Sequence, residues 1–145
     1  MDPERQQHLL QEIGSVRKKI ANNKYLNEQN TKGALIEPVL RALGWDTTDP
    51  ACVDREYSGK RGEGSVDYAL MVGGKPPVFV EAKALGEDLE RGVRQALGYA
   101  AALNIPFVFS SNGDGFVFHD RTGTSAEIER AIGTSSKLGF AEPER

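Results

Sequence analysis

Several residue types and patterns are scarce in this chain, and each scarcity argues against a class of protein. The single cysteine, Cys52, can form neither an internal disulfide nor a thiolate zinc cluster. Because the two histidines, His8 and His119, are far apart in sequence, a structural zinc site is not expected, and oxygen atoms would hold any metal. No apolar run approaches the roughly 20 residues of a membrane-spanning helix, and the polar amino terminus shows no secretory signal. We therefore expect a cytoplasmic protein that does not contact a membrane.

Positive charge is not in excess either. The 145 residues include 18 Lys and Arg against 21 Asp and Glu, which gives a formal net charge of −3. This balance argues against nonspecific nucleic-acid binding over the whole surface, so a DNA partner would require a local basic patch or another domain. A hydrophobic content of 39% and a charged content of 27% are typical of a folded protein, and the length fits one domain.

Hydrophobic periodicity predicts two helices in the first third of the chain. The first covers residues 3–21 and the second covers residues 27–43. Asn27 is suited to cap the second helix, and Pro38 should kink or break it near Ala34. The apolar residues of the first helix recur every three or four positions and are Leu9, Leu10, Ile13, Val16 and Ile20.

Two acidic residues on the second helix are separated by helical geometry. Glu28 lies nearly two turns before Leu35 and falls on the same face as the apolar residues. Glu37 falls on the flank of the helix, where Arg41, one turn later, is its expected partner at the surface. Of the two acids, Glu28 has the less ordinary position, because its carboxylate lies on the side of the helix that faces the core.

Strands are predicted from residue 52 onward, where hydrophobicity alternates with a period of two. The predicted strands cover residues 52–57, 64–72, 78–83, 105–110 and 115–119. A helix with apolar residues between Leu89 and Leu103 separates the third strand from the fourth, and a short helix is expected near residues 126–132. This order of helices and strands predicts an α/β fold, a mixed β-sheet flanked by helices.

Charged side chains gather on one face at the end of the third strand. Because side chains alternate between faces, Glu81 and Lys83 point to the same side of the sheet. Asp67 lies on the preceding strand, and in a plausible hairpin register its carboxylate converges with that of Glu81. Two carboxylates beside a lysine suit a hard cation such as Mg²⁺. The same residue types also form exposed ion pairs that contribute little, so this pattern alone leaves a structural role open.

The order of these segments resembles the PD-(D/E)xK nuclease superfamily, whose restriction-endonuclease-like core has the order αβββαβ. More narrowly, the chain resembles the amino-terminal nuclease domain of type I restriction enzyme R subunits. The resemblance covers residues 25–120 and predicts a single nuclease-like domain, with an N-terminal helix at 1–24 and a polar extension at 121–145. The matching residues are Asn27-Glu28, Thr31-Lys32, segments 35–46, 66–70 and 80–83, Gln95 with Tyr99, and Ser111-Asn112-Gly113.

A metal site is implied by the resemblance. Asp67 and Glu81 would ligate Mg²⁺ together with the backbone carbonyl of Ala82, and Mn²⁺ would substitute for Mg²⁺. Lys83 would orient or activate the attacking water and offset charge on the phosphate. A metal in this position would supply what phosphodiester hydrolysis requires, a polarised phosphoryl group and a stabilised leaving oxygen.

The resemblance also implies roles for four helical residues. Glu28 would be the helix carboxylate that acts on the metal, directly or through water, with Glu37 as the weaker alternative. Gln95 and Tyr99, one turn apart and both off the apolar stripe of their helix, match a Gln-x-x-x-Tyr motif that R subunits carry beside the nuclease centre. We expect both residues close to the DNA.

The implied function is that of a Mg²⁺-dependent DNA endonuclease. The chain has no Gly-x-x-x-x-Gly-Lys-Ser/Thr loop, so we do not expect it to translocate DNA itself. Motor or specificity subunits and a second copy of the chain are further candidate partners. We expect it to bind few phosphates, and the candidate contacts are Lys60, Arg61, Lys75, Arg91 and Arg94.

Two alternatives stay open at this stage. One is a nuclease-fold module that binds DNA or a protein without cleaving, against which the intact Asp67, Glu81 and Lys83 argue. The other is cleavage of RNA or another phosphodiester. The sequence also leaves open whether the domain stands alone or belongs to a larger subunit.

Overall fold

The structure is a computed structural model and describes residues 2–22, 27–58 and 64–123. The helix predicted near residues 126–132 lies outside these ranges, as do two candidate phosphate contacts, Lys60 and Arg61. Among the described residues, no helix is both long and apolar enough to cross a bilayer.

A five-stranded mixed sheet forms the centre of the described structure. Its strands, in order across the sheet, are β1 (Val53–Ser58), β2 (Ser65–Val72), β3 (Lys75–Ala82), β4 (Phe107–Ser111) and β5 (Phe116–Asp120). β3 and β4 are parallel, whereas the other neighbouring strands are antiparallel. A parallel pair requires a crossover connection, and α4 (Leu89–Leu103) supplies it. The predicted mixed sheet and the predicted helix between its third and fourth strands are thus confirmed.

The turn between β2 and β3 is shorter than predicted. Gly73 and Gly74 make the whole turn with positive φ angles of 59° and 81°, which glycine adopts without steric cost. Pro76 and Pro77 belong to β3 instead of the turn. Proline is tolerated in this part of the strand because β4 pairs with β3 only from Val78 onward.

Helices cover both faces of the sheet. On the side of Phe79, α4 contributes Val93 and neighbouring residues to one buried core. On the side of Val80, Ile36 from the second helical segment packs in a separate core. The first helix, α1 (Pro3–Asn22), packs outside that segment through its buried residue Val16. The sheet therefore lies between two helical layers, as the α/β prediction required.

The second predicted helix is irregular. It consists of α2 (Glu28–Thr31), a π-helical turn (Lys32–Ile36) and α3 (Glu37–Ala42). Pro38 has no N–H to donate to the carbonyl of Ala34, and the Lys19 ammonium donates to that oxygen instead, at 3.1 Å. The predicted disruption near Ala34 is confirmed. Because a π turn holds more residues than an α turn, it rotates the helix face that follows it.

α4 approaches the sheet closely at Gly92. A Cβ added at this position would lie 2.1 Å from Ser110 Oγ and 3.4 Å from Lys83 Cε. Only glycine therefore lets the helix lie this close to β4. The close approach places the aliphatic part of the Lys83 side chain against α4.

Candidate active site

Two carboxylates meet across the β2–β3 hairpin. The register pairs Tyr68 with Val80, which sets Asp67 opposite Glu81. The backbone N–H of Asp67 donates to Glu81 Oε1 at 3.2 Å, and the N–H of Ala82 donates to Asp67 Oδ2 at 2.7 Å. The predicted convergence of these two side chains is confirmed, whereas their roles as metal ligands stay a prediction.

The two carboxyl groups hold their protons very differently. Burial, reinforced by the hydrogen bond and the charge of Asp67, raises the pKa of Glu81 to about 9. Burial also disfavours the ionised form of Asp67, but hydrogen bonds from Glu81, Lys32 and the Ala82 N–H outweigh it and lower the pKa of Asp67. At neutral pH the two carboxyls therefore share one proton, and the pair carries a single negative charge. Such a separation of pKa values between adjacent carboxyls is typical of functional sites.

Lys83 lies at the end of β3 and is held from two sides. Its side chain is buried, and its ammonium donates a hydrogen bond to Oε1 of Gln95 on α4. The Lys83 charge also acts on Glu81, where it favours the ionised carboxylate. The start of β2 and the end of β3, two neighbouring strands inside the sheet, therefore bring Asp67, Glu81 and Lys83 together, as the sequence predicted.

The turn between β4 and β5 fixes the backbone of Lys83. The Lys83 N–H donates to the carbonyl of Ser111 at 2.9 Å. Ser111 Oγ accepts from the N–H of Gly113 at 3.0 Å and donates to the carbonyl of Gly115 at 2.9 Å. Gly113 has a φ of 84°, and a Cβ there would lie 2.3 Å from Leu35 Cβ, so the turn also packs on the π turn. This turn therefore supports both Lys83 and the neighbouring helix.

Gln95 and Tyr99 have different surroundings, although both were predicted to lie off the apolar stripe. Gln95 accepts the hydrogen bond from Lys83 and so belongs to the site. Tyr99 is buried in the core, and its ring stacks on Phe79 with a centroid separation of 5.3 Å. The prediction is wrong for Tyr99 because the sheet-facing side of α4 is wider than the stripe of aliphatic residues. Proximity of Tyr99 to DNA stays an untested prediction.

Glu37 is a site residue whose surroundings were predicted wrongly. Its carboxylate accepts hydrogen bonds from Arg55 Nη2 at 2.6 Å and from Tyr68 Oη at 2.7 Å. The expected partner, Arg41, donates its hydrogen bond to Thr47 Oγ1, at 3.1 Å, and acts on Glu37 through its charge. Burial disfavours the ionised Glu37, but the bonds from Arg55 and Tyr68 outweigh it and lower its pKa. The prediction failed because Arg55 on β1 and Tyr68 on β2 reach the Glu37 carboxylate from the sheet, contacts that a helical period cannot reveal.

Glu28, the predicted helix carboxylate, is the first residue of α2 and is half-buried. It precedes the π turn. Within residues 2–22, 27–58 and 64–123, no three His, Cys, Asp or Glu side chains are grouped so that they could hold a metal ion. The structure therefore does not bring Glu28 together with Asp67 and Glu81 as a third carboxylate.

Lys32 belongs to the site, although the sequence, which named it only among the residues that match the family, gave it no role. Its ammonium lies 2.8 Å from Asp67 Oδ1 and 3.2 Å from Glu56 Oε1, and the residue is only 8% exposed. Burial disfavours the charged lysine, yet the bonds and charges of Asp67 and Glu56 outweigh it and raise the pKa of Lys32. The π turn explains the position of Lys32. The N–H of Glu37 donates to the carbonyl of Lys32, five residues earlier, and this bond aligns Lys32 with Glu37 on the helix. In the sequence, Pro38 was the residue that could have indicated this irregular turn.

A cavity of about 280 Å³, lined mainly by polar and charged residues, lies beside Asp67, between the second helical segment and the β1–β2 strands. Its lining residues are Gln29, Lys32, Gly33, Glu37, Arg55, Glu56, Asp67 and Tyr68. A water molecule occupies about 30 Å³ in the liquid, so the cavity has room for a hydrated cation or for phosphate oxygens beside Asp67. We refer to it as the Asp67 cavity.

Comparison with known proteins gives three concordant matches. Residues 60–127 match the family model described as Type I restriction enzyme R protein N terminus. Over 120 residues the chain is 32% identical to the Type I restriction enzyme EcoAI endonuclease subunit of Escherichia coli, covering 74% of this chain and 15% of that subunit. The fold is similar, at a TM-score of 0.60, to the fragment structure of a putative HsdR subunit of a type I restriction enzyme from Vibrio vulnificus YJ016. That match has 29% identity and covers 71% of this chain and 22% of the other.

The chain thus spans a small part of the length of both relatives. The family model, the sequence relative and the structural relative nevertheless agree with one another and with the mixed sheet. Together they show that the chain carries an amino-terminal, nuclease-like domain of the type I restriction enzyme R-subunit kind.

Proposed function

We propose that this domain is a Mg²⁺-dependent DNA endonuclease of the PD-(D/E)xK type that hydrolyses phosphodiester bonds at Asp67, Glu81 and Lys83. The observation that carries the proposal is the meeting of two carboxyls with widely separated pKa values beside a buried lysine. The Escherichia coli relative is named an endonuclease subunit, which supports the same reaction class.

The donor set fits a hard divalent cation. Glu81 keeps its proton because its surroundings do not compensate a second negative charge next to Asp67. A divalent cation would supply that compensation, and Mg²⁺ is usually bound through one or two carboxylates plus water and phosphate oxygens. Asp67, Glu81 and the carbonyl of Ala82 would hold it. When bound, the ion would polarise the phosphoryl group and stabilise the leaving oxygen.

The remaining site residues position these groups. Gln95 holds the Lys83 ammonium by a hydrogen bond, which keeps that charge near Glu81 and suits it to orient a water molecule. Tyr68 follows Asp67 on β2 and binds Glu37, which in turn binds Arg55. This network joins α3 to β1 and β2 and so holds one wall of the Asp67 cavity in place.

Contacts to DNA would be few. Arg91 and Lys75 are exposed, whereas the Arg94 guanidinium lies 3.6 Å from the carboxylate of Asp88, which offsets part of its charge. We propose that the domain depends on motor or specificity subunits, or on a second copy of itself, to hold DNA firmly. Cleavage by the domain alone would then be slow and without sequence preference, because binding through phosphates carries no sequence information.

Cleavage assays test the proposal directly. Supercoiled plasmid, linear DNA and RNA are incubated with the purified chain in Mg²⁺, Mn²⁺ or EDTA. We expect metal-dependent nicking or cutting of DNA that Asp67→Ala and Glu81→Ala abolish, whereas Lys83→Ala keeps Mn²⁺ binding but loses rate by about 10² or more.

Glu87→Gln is the matched control, since Glu87 is an exposed acid shortly after Lys83. It should cleave like the wild type. DNA cleavage that persists in EDTA, or in both Ala variants of the acids, contradicts the assignment. Metal-dependent DNA binding without any cutting would instead favour the module that binds and does not cleave.

A further inference from the structure

The Lys32 ammonium occupies a specific place among the acids of the Asp67 cavity. It lies 2.8 Å from Asp67 Oδ1 and 3.2 Å from Glu56 Oε1. The other Asp67 oxygen, Oδ2, already accepts the N–H of Ala82 at 2.7 Å. Of the two Asp67 oxygens, the one without a backbone hydrogen bond therefore contacts Lys32.

This placement is built into the fold. Lys32 is the first residue of the π turn, and the residue is 8% exposed, so its stem is packed and its ammonium has little freedom. On the opposite side, Glu56 has a φ of 50°, a left-handed conformation that is rare for a residue with a side chain. Local strain of this kind persists only where surrounding contacts enforce it, and it concentrates at functional sites.

We propose that Lys32 is a built-in competitor of the catalytic divalent cation, whose ammonium occupies Asp67 Oδ1 until the metal displaces it toward Glu56. The proposal rests on the proposed function, since it assumes that Asp67 is a metal ligand. An ammonium and a divalent cation cannot share one oxygen without strong repulsion between their charges. In the absence of metal, Lys32 therefore holds the acids in place. Its competition also raises the metal concentration that is needed to fill the site.

Calorimetric titration with Mn²⁺, without DNA, tests the competition. Lys32→Gln keeps a hydrogen-bond donor but removes the charge, so it should bind Mn²⁺ at least about tenfold more tightly than the wild type. Lys32→Arg keeps the charge and should bind no more tightly than the wild type. Lys18→Gln, which removes an exposed lysine on α1, is the control for net charge and should leave the affinity unchanged.

The possible results separate this proposal from the proposed function. If the wild type binds Mn²⁺ and Lys32→Gln binds it equally or more weakly, the competition is wrong while the metal site stands. If neither protein binds Mn²⁺, both proposals fail. Binding by Lys32→Gln alone supports the competition. Melting curves confirm folding, and Lys32→Met, which also lacks the charge, replaces the Gln variant if that variant does not fold.

Discussion

At this site, the bonds and the protonation of a residue depend on its neighbours as well as on its type. Glu37 and Glu28 are both glutamates on one helical segment, yet only Glu37 forms bonds to Arg55 and Tyr68 at the wall of the Asp67 cavity. The pKa values of Asp67 and Glu81 are likewise shifted in opposite directions, although both groups are carboxyls on adjacent strands. The environment of each group decides its chemistry.

The protonation of Glu81 predicts a proton count for metal binding. Its pKa is raised to about 9 and that of Asp67 is lowered, so at pH 7 the metal-free pair of carboxyls holds one proton. A metal ligand must be deprotonated, so Mn²⁺ binding at pH 7 should release about one proton. The release should fall toward zero as the pH rises above the Glu81 pKa.

Calorimetry in two buffers that differ in ionisation enthalpy measures this release. The control is Glu87→Gln, which should release the same number of protons as the wild type. Binding at pH 7 without any proton release would show that Glu81 is already ionised, or that it does not ligate the metal.

At the scale of elements, two irregularities position the site. The π turn aligns Lys32 with Glu37, and the close approach of α4 to β4 at Gly92 places Gln95 beside Lys83. The π turn and the close approach of α4 both depend on contacts with other elements. The Lys19 ammonium from α1 takes the carbonyl that Pro38 leaves without a partner, and the approach at Gly92 exists only where no Cβ intervenes.

Two glycines of α4 give a matched test of that approach. A Cβ at Gly92 would lie 2.1 Å from Ser110 Oγ, so Gly92→Ala should destabilise the protein by about 1–3 kcal/mol through overpacking. The change should also slow cleavage, because moving α4 separates Gln95 from Lys83. Gly98 has no atom within 4 Å of an added Cβ. Gly98→Ala should therefore stabilise the helix by about 0.5–1 kcal/mol.

Urea denaturation and plasmid cleavage measure both variants. Equal stability of the two variants would mean that the helix and β4 are farther apart than the structure shows. A strongly destabilised Gly98→Ala would contradict the open surroundings of that residue.

For the whole molecule, the negative net charge should limit how tightly the domain binds DNA by itself. The chain has a formal net charge of −3, and the described basic side chains are partly used within the fold, Lys32 by Asp67 and Arg55 by Glu37. The relatives are much longer than this chain, which covers 15% of one and 22% of the other. The charges agree with the proposal that the domain needs other subunits, or a second copy of itself, to hold DNA firmly.

The need for partners can be tested by measuring how DNA binding varies with salt concentration. We expect a dissociation constant in the micromolar range or weaker at physiological salt. For duplex DNA the logarithmic salt slope is about −0.9 per phosphate neutralised, so a few contacts give a slope shallower than about −4. Arg91→Gln should reduce the slope by about one unit, whereas Lys18→Gln, on the far side of the sheet, should not. Fluorescence anisotropy across salt concentrations measures both, and nanomolar binding of one sequence would overturn the expectation.

The sequence by itself determined the order of elements and the core of the site. Alternation places Glu81 and Lys83 on one face. The glycine turn pairs Val72 with Lys75, and a one-residue register shift between Leu70 and Val72, within the same hairpin, then sets Asp67 opposite Glu81. These are local relations between residues close in the chain. Only the tertiary structure decided the positions of Lys32, Glu37 and Tyr99, because each depends on contact with a distant element. A fixed period of 3.6 residues cannot anticipate a π turn that α1 stabilises, nor a ring that another strand buries.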